Sequence, residues 1–162
     1  MPKRLVVVLA TIAAVLTGLI TGSGEGAAAP ELQRISINGD RFATVGNHSF
    51  CNGELRVSLT AAPRKPGFVR VGLTSYGFSG QGPSWKRNPV CKLLIGAVHT
   101  SAIGYAQWSF FNADFGPKRG QKVVRDIRTG SGVVELQLSS YARNNPIRLR
   151  QSLGLSYYML VP

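Results

Sequence analysis

The chain has 162 residues, 19 Lys and Arg against 7 Asp and Glu, a formal charge of +12, two cysteines and two histidines. Its length suits one domain rather than several. The few carboxylates are scattered, which argues against a calcium cage or a paired-carboxylate glycosidase. No Cys-x-x-Cys or His-x-x-x-His spacing supports zinc, and no Walker-type glycine loop or other cofactor motif is present. The charge favours polyanionic partners and carries no information about fold.

The first thirty residues have the layout of a secretory signal peptide. Pro2-Lys3-Arg4 gives a positive start, Leu5 to Ile20 an apolar run, and Thr21 to Gly26 a small polar stretch leading into Ala27-Ala28-Ala29-Pro30. The run of about 16 residues is short of the roughly 20 that a spanning helix needs. A cut after Ala28 places Gly26 and Ala28 at the small-residue positions. No cysteine at the cut supports a lipid anchor, and no Arg-Arg pair precedes the run, so general secretion is expected. The division is thus a signal peptide over 1–28 and one domain over 29–162, secreted or envelope-associated. After cleavage this domain is not an integral membrane protein, and it keeps 17 basic residues against 6 acidic.

Beyond residue 30 the hydrophobic period is two. Leu55, Val57 and Leu59 alternate with polar residues, as do Val69, Val71 and Leu73, then Val134, Leu136 and Leu138, then Leu153, Leu155, Tyr157, Met159 and Val161. Such alternation marks strands with one buried and one solvated face. Asn38-Gly39 between two short apolar runs predicts a hairpin. Further turns are predicted around 52–53, 63–67, 77–89, 116–120, 130–132 and 144–146. The expected strands lie near 34–37, 41–45, 54–61, 68–76, 90–98, 103–111, 121–128, 132–140 and 153–161.

Short strands at regular spacing predict an all-β fold, an immunoglobulin-like two-sheet sandwich or, alternatively, a small β-barrel. Membership of the immunoglobulin family itself is not supported. Trp85 lies only six residues before Cys91, and Pro89 stands where that family places a tyrosine. In an exported protein Cys51 and Cys91 are expected to pair, closing a loop of about 40 residues worth roughly 4 kcal/mol in the chain-entropy model.

No catalytic motif stands out. His48, in a polar loop, and His99, ending an apolar run, together with Glu54 or Glu135, could serve a ribonuclease-like hydrolase as acid and base. That reading requires both imidazoles in one Arg- or Lys-lined pocket. There is no Gly-x-Ser-x-Gly element. Asp114 and Asp126 are the nearest approach to a carboxylate pair, although Arg125 and Arg128 flank Asp126 and offer it neighbours.

Three segments are candidates for binding. Residues 76–88 read as a loop of about a dozen residues, longer than most connections. It carries Tyr76, Phe78 and Trp85 and ends in Lys86-Arg87, a combination suited to sugars, bases or phosphates. The bland alternative is a loop that folds its own rings over the sandwich edge. In a strand over 103–111, Trp108 and Phe110 share one face and Tyr105 and Phe111 the other. One face must be core; the other is either covered or exposed as a contact patch. Lys118 and Arg119 follow on a cationic turn. Arg148 and Arg150 alternate with Ile147 and Leu149, which predicts a phosphate-scale arginine ladder on a strand face; edge protection is its ordinary alternative.

The expected function is that of a basic binding protein with no cofactor, not an enzyme. Its partners would be anionic lipid, wall polymer or nucleic acid, held through Arg56, Arg70, Lys86, Arg87, Lys118, Arg119, Arg148 and Arg150, with Phe78 and Trp85 adding selectivity. A protein–protein module presenting residues 76–88 is a further alternative.

Overall fold

The computed structural model describes residues 30–101 and 104–162; the expected signal peptide lies outside the described residues. Among the described residues nine strands form: β1 (Arg34–Ser36), β2 (Arg41–Val45), β3 (Asn52–Ala61), β4 (Phe68–Ser79), β5 (Cys91–Ser101), β6 (Gln107–Phe115), β7 (Lys122–Arg128), β8 (Gly132–Tyr141) and β9 (Leu155–Val161), with a short helix, α1 (Gly82–Arg87). They make two antiparallel sheets, ordered β1-β9-β8-β5-β6 and β2-β3-β4-β7. The edges stay open, so the barrel alternative is not what forms.

The period-two pattern explains the layering. Leu55, Val57 and Leu59 on β3, with Val69, Val71 and Leu73 on β4, face Leu93, Ile95 and Ala97 on β5 and Leu136, Leu138, Tyr157 and Met159 on β8 and β9. Fully burying one such side chain contributes about 1.5–3 kcal/mol, so this shared interior is what holds the sheets together. The disulfide joins them covalently at one end. Cys51 precedes β3 and Cys91 opens β5, with their Cα atoms 5.7 Å apart.

Two elements depart from the sequence expectation. β4 does not stop at 76 but runs to Ser79. Gly53 pairs with Phe78, whereas Leu55 pairs with Ser75, so Tyr76 and Gly77 form a bulge. Gly77 takes φ +101, which a glycine tolerates where other residues do not. The extra residue inverts the alternation and turns Phe78 inward. The last strand begins at Leu155, not 153: Gly154, at φ +79, ends the preceding segment and leaves Leu153 exposed.

Candidate functional site

Antiparallel pairing brings four connections to the disulfide end: residues 46–51, 80–90, 116–121 and 142–154. These segments contain Lys86, Arg87, Lys118, Arg119, Arg143, Arg148 and Arg150, and no Asp or Glu. Seven of the ten residues expected to bind are therefore supplied by connections at one end; Phe78 lies just before one of them, and Arg56 and Arg70 lie within β3 and β4.

Their roles differ. Phe78 is only 2% exposed and stacks on Phe115 at 5.6 Å, so it is core and not a contact residue. The expected long loop is short, because β4 and α1 take up most of it. Trp85 is half-buried on α1, its indole packed over Gly80 and 6.2 Å from the His48 ring. It fixes the helix rather than standing free. Lys86 and Arg87 are exposed on the last turn of α1, and Lys118 and Arg119 on the β6–β7 turn. Among the described residues none of these four makes an ion pair.

The arginine ladder does not form. Residues 142–154 make a single bridge, Tyr141 to Arg150, instead of a strand. Arg148 lies 3.9 Å over the Phe110 ring, Arg150 donates to the Leu153 carbonyl, and Arg143 pairs with Asp114 at 2.5 Å. Arg56 and Arg70 sit elsewhere, on the outer face of the four-stranded sheet. Arg70 is engaged there by Asp126 at 2.8 Å, and Arg56 stands opposite Arg41, which stacks on Tyr76 at 4.7 Å.

The β2–β3 turn, residues 46–51, ties this end together. Gln81 donates its amide to the Ser49 carbonyl at 2.8 Å. His48 Nε2 meets the Asn88 carbonyl at 3.0 Å, and Gln151 lies 2.6 Å from Asn47. At its apex stands Phe50, 85% exposed. The sequence reading passed over this residue; its one signal was a lone large apolar side chain inside a polar turn.

No protein family model matches the chain, and no curated protein or solved structure is significantly similar to it.

The two histidines do not meet. His48 lies before β5 begins, while His99 sits eight residues along it, about 25 Å away at the rise of a strand. His99 faces the core, its Nδ1 without a partner. Burial lowers its pKa below the ordinary value, opposed by a hydrogen bond that the imidazole donates to Gln107. One acid–base pair built from these imidazoles is therefore not assembled. Asp114 and Asp126 also remain apart, on the outer faces of opposite sheets. Asp126 is held by Arg70, a cross-strand neighbour, and by Lys65 at 3.1 Å, not by the flanking arginines. The described residues contain no cluster of potential metal ligands and no helix long and apolar enough to cross a membrane.

A second feature lies on the outer face of the five-stranded sheet. Trp108 and Phe110 stack at 5.6 Å, Tyr141 meets Phe110 edge-on at 5.7 Å, and Arg148 closes an open cleft of about 460 Å³. Gly96 is its floor: a Cβ there would meet Tyr141 at 2.5 Å and Phe110 at 2.9 Å. The expected two-faced strand is real, with Phe111 and Phe115 turned inward and Trp108 outward. Tyr105 falls before the strand and shares neither face.

Proposed function

We propose that this protein is an exported binding module that docks on anionic surfaces through the disulfide end of its sandwich. The observation carrying this reading is the charge of the four connections there: seven cations and no carboxylate. Lys86, Arg87, Lys118 and Arg119 are free to meet a partner there, while Arg143 is paired with Asp114 and Arg148 lies over Phe110 on the outer face of the five-stranded sheet. Export is supported by the residue pattern of 1–28 and by a disulfide, a bond that persists in oxidising compartments. We read the strand wiring as immunoglobulin-like. Its support is that β4 lies beside β7 in one sheet, β5 beside β6 and β8 in the other, and that β4–β5 and β6–β7 cross between sheets at the binding end.

The test is retention of the exported protein on immobilised RNA, anionic liposomes and wall polymer between ~50 and ~500 mM salt. Exposed charges are progressively screened over that range. Salt-sensitive retention on at least one surface is expected, and neutralising Lys86, Arg87, Lys118 and Arg119 together should abolish it. Retention on none of them at low salt, or retention indifferent to salt, refutes the reading.

A further inference from the structure

Building on the anionic-surface reading, we infer that the surface is an anionic lipid bilayer and that Phe50 is the residue inserted into it. Phe50 occupies the apex of the β2–β3 turn, with Ser49 at φ +55 and Phe50 at φ +50. A bulky residue in the left-handed region is held there only when its surroundings over-determine it. They do so here. The Gly46 amide donates to the Cys51 carbonyl at 2.7 Å and the Cys51 amide to the His48 carbonyl at 3.0 Å. The disulfide follows at once, and α1 and the β8–β9 connection brace the two sides. The result is a rigid turn holding a phenylalanine out into solvent, at the end of the molecule whose four connections carry seven cations and no carboxylate.

That combination fits lipid better than polymer. A wall polymer or nucleic acid offers cations their counter-charge but no apolar phase. A single strand takes an aromatic ring lying along a groove between phosphate contacts, whereas this ring stands at an apex. A bilayer satisfies both features, with headgroups against the cations and acyl chains beneath for the ring. Burying a phenylalanine is worth about tenfold to hundredfold in partitioning, and each basic residue near an anionic leaflet about fivefold. Phe50 and the four free cations together thus suffice for reversible attachment.

The experiment uses the protein recovered after export, its N-terminus read by mass spectrometry, sedimented with phosphatidylcholine vesicles with and without phosphatidylglycerol. Phe50→Asn is the main variant, since asparagine tolerates the left-handed backbone. Binding that requires phosphatidylglycerol and falls at least tenfold in Phe50→Asn, with the salt dependence retained and the unfolding midpoint unchanged or raised, is expected. In Phe50→Trp, lipids brominated near the interface should quench emission beyond the wild-type level. Wild-type affinity in Phe50→Asn overturns insertion; if the four-cation variant still loses binding, the anionic-surface reading survives alone. Retention on RNA or polymer but not on vesicles does the same. A fall in the Phe50→Asn midpoint would make the ring structural and also overturn the inference. No retention on any surface ends both readings.

Discussion

Opening the Cys51–Cys91 bridge is the sharpest test of how the two sheets are held. The bridge spans 40 residues of sequence, and the chain-entropy model assigns such a loop about 4 kcal/mol at 25 °C. An ordered domain of about 130 residues has an unfolding entropy near 0.27 kcal/mol/K at its midpoint. Dividing one by the other predicts a midpoint about 15 °C lower on reduction. The fold itself should survive, because the apolar interior joins the sheets along their whole length. Calorimetry of the oxidised protein, the same protein reduced, and the Cys51→Ala/Cys91→Ala variant separates the parts. The reduced protein isolates the cross-link, and the variant adds the cavity left by two buried sulfurs. A drop below about 5 °C on reduction refutes the entropic account and leaves the sheets held by packing alone. Loss of cooperative unfolding would show instead that the interior is too weak to align them.

Phe78→Ala should destabilise by about 3–5 kcal/mol, as buried aromatic truncations do, measured by denaturant unfolding; a loss under 1 kcal/mol would place its ring outside the core. His99 carries a lowered pKa through burial, so the unfolded chain binds its proton first. Stability should therefore decline as pH falls below the ordinary histidine value near 6.5. His99→Leu should remove that part of the slope between pH 7 and 5, and an unchanged slope would exclude His99 as its source. The hydrogen bond from Arg70, reinforced by Lys65, lowers the Asp126 pKa. Its contribution is present above the unfolded carboxylate value near 3.9 and lost as pH falls through the folded one. Asp126→Asn should accordingly flatten the stability profile below about pH 4, a change readable in thermal melts.

The interior was legible because alternation is a local property. Leu55 to Leu59, Val69 to Leu73 and Leu136 to Leu138 declare their faces without help from the rest of the chain, and the cysteine pairing followed from there being two of them. What failed depends on backbone detail or on partners distant in sequence. The parity of β4 turns on one bulge at Tyr76-Gly77, so Phe78 looked like an exposed ring and became core. The alternating Arg148 and Arg150 resembled a strand, but Gly154 ends that segment and Phe110, 38 positions earlier, captures Arg148. Nothing local marks the left-handed backbone at Ser49 and Phe50. Hydrogen bonds within the turn, from Gly46 to Cys51 and from Cys51 to His48, close it, and contacts with Gln81 and Asn88 and the disulfide brace it, all of them present only once the chain has folded. The gathering of cations at one end was equally invisible, since it requires knowing which connections share that end.

The same turn offers a way to ask whether bridge and binding end form one unit. Gly46 begins the turn that carries Phe50, and a Cβ there would lie 2.5 Å from Cys91 Sγ, 2.7 Å from Cys51 Sγ and 3.2 Å from Leu93 Cδ2. None of these neighbours can move freely, since the sulfurs are bonded to each other and Leu93 is buried. Gly46→Ala in the oxidised protein should therefore cost about 1–3 kcal/mol, the usual range for overpacking. Removing both sulfurs opens the space that the methyl group needs. In the Cys51→Ala/Cys91→Ala background the same substitution should be nearly neutral, giving a coupling of at least 1 kcal/mol in a double-mutant cycle. Equal costs in both backgrounds would mean that Leu93 or the backbone sets the limit, and that the turn presenting Phe50 is independent of the bridge. A strong coupling would make the disulfide part of the device that holds Phe50 in place, so that reduction weakens surface attachment as well as stability.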